Sequence, residues 1–171
     1  MNGNRLVKRT IVIAYMGLLV ALQIVLSRFF SINAWNFKIG FSFLPIAVAG
    51  MFFGPVGGAI VATVADVIGA LLFPSGQFFP GFTLTALLGG LVWGVFMYKK
   101  QTNGRILCAV LIEQLVLSLL LNTLWISILY SSPFVPLMVS RITQCLVLGP
   151  VQFITVKAMS RFLQRYQNKF S

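Results

Sequence analysis

Three ionisable residues, Asp66, Glu113 and Arg141, each fall inside a long apolar run. A charge placed there is costly and turns toward protein or a wet cavity, so each is a candidate for chemistry. A carboxylate at Asp66 can only accept hydrogen bonds or balance a cation, whereas a guanidinium at Arg141 can only donate. Asp66 shares a helical face with Gly58, Ala62, Ala65 and Gly69. Small residues at that spacing mark close helix contact, so Asp66 points into a bundle rather than at lipid. Further along, Gln114, Ser118, Asn122 and Trp125 recur at i, i+4, i+8 and i+11, one helical face. Arg141 and Gln144 form an i, i+3 pair.

The elements that position these groups follow from composition. The 171 residues are 58% hydrophobic and 9% charged, against about 25% charged in soluble domains. A spanning helix needs about 20 mostly apolar residues. The expected fold is therefore an all-α integral membrane protein, one bundle of six transmembrane helices over 1–171. The helices are expected near 10–30, 39–53, 56–73, 82–98, 106–130 and 134–160. Only Gly54 and Pro55 separate the second from the third. The first apolar run is too long for a signal-peptide core and reads as a retained helix.

The net charge of +11 does not mark a nucleic-acid surface, because the cations gather at span ends. Arg5, Lys8 and Arg9 precede the first run, Lys99, Lys100 and Arg105 fill one connection, and Lys157, Arg161, Arg165 and Lys169 close the chain. The positive-inside rule makes these ends cytoplasmic, giving an N-in, C-in topology. The outer connections are then 31–38, 74–81 and 131–133. Counting back from them, Asp66, Asn122 and Arg141 all lie roughly 10–12 Å below the outer surface, with Trp125 slightly shallower. Two readings remain open. Asp66 and Arg141 form an ion pair pinning two helices, with Asn122 taking up spare donors; or the three line a ligand pocket open to the outside. Glu113 falls in the inner half near Arg105, where a salt bridge is expected.

The outer segment FPSGQFFPGFT, residues 73–83, adds a second feature. Its prolines restrict the backbone and its glycines permit tight turns. Phe78 and Phe79 then either cover a ligand as a lid or anchor the chain at the interface. Arg28 and Lys38 flank the first outer loop beside Trp35, either reaching lipid head groups or drawing an anionic solute to the mouth. On the first helix, Gly17 and Ala21 form a small-xxx-small pair, suited to internal packing or to docking another membrane protein. Cys108 and Cys145 lie in apolar runs and read as buried thiols; with no His in the chain, no metal site and no cofactor are expected. No phosphate-binding loop occurs, so ATP-driven work would need other chains. Asp66 and Glu113 are separated by about 15 Å of depth, too far for one acid–base centre. A solute-binding membrane protein is thus favoured over a small membrane enzyme or a structural membrane subunit.

The block FKIGFSFLPIAVAGMFFGPVGGAIVATVADVIGALLFPSGQFFPGFTLTALLGGLVWG, residues 37–94, together with LLNTLWISILY, SRITQ and GPVQF, resembles the substrate-binding S components of energy-coupling-factor (ECF) transporters. The resemblance covers nearly the whole chain and is nearest to the folate-specific subfamily. It implies a high-affinity vitamin binder in a bacterial plasma membrane, working with a transmembrane coupling subunit and two cytoplasmic ATPases. In that family the small-residue face of helix one docks the coupling subunit; Gly17 stands here where Ala is common. A folate would suit the pocket. Asp66 would meet the amino-pyrimidine edge, and Phe78, Phe79 and Trp125 would stack on the rings. Asn122, Arg141 and Gln144 would bond the remaining heteroatoms, and Arg28 and Lys38 would suit the glutamate tail. Thiamine, riboflavin or a queuosine precursor are the alternative ligands.

Overall fold

The computed structural model describes the backbone of residues 3–33, 38–74 and 76–170, and the side chains of 9–31, 40–74 and 76–163. The chain runs through α1 (Gly3–Arg28), a small hairpin of β1 (Ser31–Asn33) and β2 (Lys38–Gly40), α2 (Phe43–Leu72) and α3 (Pro80–Met97). It continues through α4 (Asn103–Leu111), a π-helical stretch (Ile112–Leu121), α5 (Asn122–Tyr130) and α6 (Phe134–Phe170). Among the described residues, five helical segments are long and apolar enough to cross a membrane. The fold is that of a helical integral membrane protein.

Several boundaries differ from expectation for identifiable reasons. The first outer connection is partly paired: Ser31 faces Gly40, Ile32 faces Ile39 and Asn33 faces Lys38 in an antiparallel ladder. Residues 38–40 therefore belong to a strand, and the next helix begins at Phe43 rather than near 39. α3 begins earlier than expected, because Pro80 occupies its first turn, where a missing N–H costs nothing.

The Gly54–Pro55 junction ends one helical arm of α2 and starts the next, as the two residues suggest. Gly54 takes φ 75° and ψ −167°, a region that essentially only glycine occupies. The chain folds back there. A Cβ built on Gly58 would lie 3.3 Å from Gly50 Cα, whereas eight residues along a straight helix are about 12 Å apart. Both arms of α2 press on α3 through glycines. A Cβ on Gly58 would lie 2.5 Å from Gly90 O, one on Gly50 2.7 Å from Gly94 N, and one on Gly94 2.2 Å from Pro55 Cα. Bare backbones in contact are how helices gain dispersion energy where lipid is as apolar as the side chains. The small-residue face carrying Asp66 is thus used as its spacing suggests.

One end of the bundle is filled by Phe43, Ala47, Met51, Trp93, Met97, Ile106, Ala109, Val110 and Val156. At that end Arg105 Nη2 donates to Val95 O at 2.7 Å. The expected Arg105–Glu113 salt bridge is not found among the described residues. Glu113 instead presses its carboxylate on α3, where a Cβ at Gly89 would lie 3.0 Å from Glu113 Oε2. The thiols also divide: Cys145 is buried, but Cys108 is exposed on the outside of the bundle, because a helix one or two layers from the axis always turns some apolar residues to lipid.

Candidate functional site

The end of the bundle opposite that core is polar inside. Asp66, on the second arm of α2, accepts a hydrogen bond from Thr83 Oγ1 at 2.8 Å. Thr83 lies in the first turn of α3, and Pro80 sets that turn. Two residues on, Thr85 is buried and takes a hydrogen bond at 3.0 Å from Trp125 Nε1. Its own hydroxyl donates to Gly81 O at 3.1 Å. This chain of polar contacts fixes the indole of Trp125 over the start of α3. Phe79, at the α3 N-cap, leans on that indole with centroids 5.7 Å apart, and meets Phe82 edge-on at 6.2 Å. Gly81 sits between them: a Cβ there would lie 2.5 Å from Phe79 Cε1 and 2.6 Å from Trp125 Cδ2. Only a hydrogen in place of a side chain allows the two rings to approach.

The predicted Phe78–Phe79 pair therefore splits. Phe79 joins the cluster, while Phe78 is 49% exposed and turns away from it. Successive residues in extended backbone point to opposite sides, and Phe79 is extended at φ −137°, ψ 125°.

A cation also stands near Asp66. Arg28, at the C-terminus of α1, is the charge in whose field Asp66 lies. Its guanidinium covers Gly69, one turn beyond Asp66, with Nε 3.1 Å from where a Cβ would be. Of the two open readings of Asp66 and Arg141, the ion pair would put the guanidinium beside Asp66, but the structure places it against the π-helical stretch. Arg141 is 4% exposed and its Nη2 donates to Ser118 O at 3.1 Å. The carbonyl is an adequate partner because the π-helical stretch loosens the backbone there: Asn122 N–H returns to Leu117 O, five residues back. Gln144 is buried one turn from Arg141, and Cys145 donates its thiol to Gln114 O at 3.4 Å.

The face of Gln114, Ser118, Asn122 and Trp125 thus meets α6 at Arg141 and Cys145, and α3 at Thr85. Gln114 Oε1 and Asn122 Oδ1 are buried without a hydrogen-bond partner among the described residues. Unpaired buried acceptors are expensive to keep. In the sequence alone, Thr83 and Thr85 have no assigned role and Gly81 only that of a turn glycine. Their signal is the GFTLT run directly after a helix-initiating proline, which places two hydroxyls beside the preceding carboxylate. Gly17 and Ala21 are both exposed on α1, and nothing in the structure comes within 4 Å of a Cβ built on Gly17. Internal packing does not account for them. Trp35 and the Lys38 side chain lie outside the described residues; only the Lys38 backbone is described, in β2.

Comparison with known proteins supplies the family. The profile for "ECF transporter, substrate-specific component" matches residues 11–160. The folate transporter FolT of Clostridium novyi (strain NT) is 37% identical over 161 residues, covering 94% of each chain. The folate transporter FolT of Leuconostoc mesenteroides is 28% identical over 144 residues, 80% of this chain and 77% of its own. Among solved structures, a crystal structure of FolT bound with folic acid superposes with a TM-score of 0.84 at 39% identity, covering 87% of this chain and 92% of that one. An S component of a bacterial ECF transporter shares the fold at a TM-score of 0.66 and 23% identity, over 95% and 98% of the two chains. With the profile spanning almost all of the helical bundle, this chain belongs to the family of substrate-specific components of ECF transporters.

Proposed function

We propose that this chain captures folate from outside the cell and delivers it through an ATPase-driven coupling module. One observation carries the reading: an acceptor-only carboxylate, an aromatic pair and a cation meet at one end of the bundle, at Asp66, Phe79–Trp125 and Arg28. Each matches a part of folate. The amino-pyrimidine edge of a pterin offers two parallel N–H donors, which a carboxylate accepts in pairs. The flat ring stacks on Trp125 and Phe79. The glutamate tail carries carboxylates, which Arg28 and Lys38 attract toward the mouth. Asn122, Gln144 and Arg141 serve the remaining heteroatoms from the α5 and α6 side. Phe78 points out of this cluster and would have to swing inward to act as a lid on a ligand.

The topology that fits this use has six spans with both termini in the cytoplasm, the two arms of α2 counting separately. The positive ends of the chain and the fold-back at Gly54 support it. The exposed Gly17 and Ala21 suit the docking of a transmembrane coupling subunit, with two ATPase subunits beneath it. The site belongs to one membrane domain, in a bacterial plasma membrane.

Titration of the purified protein in detergent with folic acid, riboflavin and thiamine tests the ligand. Folic acid alone should bind with one site per chain. Binding of another vitamin with no response to folic acid would overturn the reading.

A further inference from the structure

α1 is apolar where it is exposed and polar where it is buried. Most of its described surface faces outward with residues such as Ile13, Tyr15, Leu18 and Leu22. Its buried positions are Gln23 and Ser27, one turn apart. Ser27 is satisfied locally, since its hydroxyl donates to Ile24 O at 3.2 Å. Gln23 is not: it is 8% exposed, and its Oε1 has no hydrogen-bond partner among the described residues. An apolar residue would suit a plain helix contact in a membrane better than a carboxamide with an unpaired oxygen.

The surface that buries Gln23 can be located. α1 packs chiefly on α2. Arg28 covers Gly69, and Phe29 meets Phe73 edge-on at 5.4 Å. The C-terminal ends of α1 and of the second arm of α2 therefore lie together, and the two helices run the same way. Five residues back from Arg28 is Gln23; five back from Gly69 is Val64. Each step is about 7.5 Å. Gln23 thus stands level with the turn from Thr63 to Asp66. Thr63 Oγ1 is likewise buried without a partner.

We propose that Gln23 is a ligand-contacting, specificity-determining residue of the Asp66 site, its carboxamide meeting the donor–acceptor edge of a bound pteridine beside the carboxylate. This rests on the folate reading above. Asp66 serves the two N–H donors of the amino-pyrimidine edge but cannot serve the acceptors that flank them, the ring carbonyl on one side and ring nitrogens on the other. A carboxamide both donates and accepts. It is therefore the kind of group needed next to a carboxylate that reads a pterin, and Thr63 can donate alongside it.

Two measurements on Gln23→Leu and Thr63→Val separate this role from a structural one. Leucine is close to glutamine in size and has no polar atom to leave unpaired. Folic acid affinity, by calorimetric titration in detergent, should fall at least about tenfold for Gln23→Leu, one hydrogen-bonded contact's worth. The ligand-free protein should melt at the same temperature as wild type or higher. Thr63→Val should show a smaller fall of the same pattern. If wild type binds folic acid and Gln23→Leu binds it equally well, the inference is wrong while the folate reading stands. A Gln23→Leu protein with lowered melting temperature and unchanged affinity assigns a structural role. If wild type does not bind folic acid, the folate reading fails and the inference with it.

Discussion

Replacing Gly81 by alanine tests how the aromatic wall of the site is built. The added methyl would lie 2.5 Å from Phe79 Cε1 and 2.6 Å from Trp125 Cδ2. Carbon atoms rest at about 3.5–4.0 Å, so both rings must retreat by about 1 Å. The loop holding Phe79 is tied to α3 through Phe82 N–H to Phe79 O, whereas the indole is held by the 3.0 Å bond to Thr85. A retreat of the indole stretches that bond to about 4 Å, beyond hydrogen-bond length. The unbound protein relaxes by letting the indole go. Binding needs the indole back against the methyl, and that clash offsets what the position supplies, one hydrogen bond of about 1 kcal/mol and one ring pairing of about 1 kcal/mol. Together that is about 2 kcal/mol, or about thirtyfold in affinity for folic acid. Calorimetric titration measures this, with thermal unfolding in parallel. Gly76→Ala in the same segment is the control, since its methyl would meet Tyr130 Oη at an ordinary 3.6 Å and should change nothing. Unchanged affinity in Gly81→Ala would refute the placement of Trp125 and Phe79 as a ligand-bearing pair.

Other substitutions probe the remaining parts. Asp66→Asn exchanges an acceptor pair for one acceptor and one donor, and should weaken folic acid by about thirtyfold or more in titration while the protein stays folded. Gly94→Ala drives a methyl into the Pro55 backbone, 2.2 Å from its Cα; overpacking of about 1–3 kcal/mol should appear as a lower melting temperature and poor yield. Gly89→Ala crowds the Glu113 carboxylate at 3.0 Å, so its loss of melting temperature should largely vanish in a Glu113→Ala background, measured as a double-mutant cycle. Gly17→Leu meets open space and should leave melting and folic acid binding unchanged, but abolish uptake when the coupling subunit and ATPases are co-expressed in cells.

Much of this arrangement is legible in the sequence because it obeys local periodicity. The small residues around Asp66 turn it inward by helical spacing alone, and the run of polar residues from Gln114 to Trp125 follows the same rule. The features that escaped depend on contacts between distant segments. Arg28 supplies charge near Asp66 because its long side chain at a helix end lies over Gly69, which spacing does not reveal. The Ser31–Gly40 ladder needs partners from either side of a loop, and the Gly54 fold-back needs Gly50 to meet Gly58. The Thr83 bond to Asp66 likewise joins two helices. The π-helical stretch shifts the register from Ile112 to Leu121, and an even 3.6-residue count passes over such a shift.

The central claim, that Asp66 lies at the heart of a folate site, is tested most directly by native mass spectrometry of the detergent-purified wild-type and Asp66→Asn proteins after incubation with folic acid. Wild type should retain one folic acid per chain and Asp66→Asn should retain none at the same concentration. Equal retention by both, or none by wild type, would contradict the account.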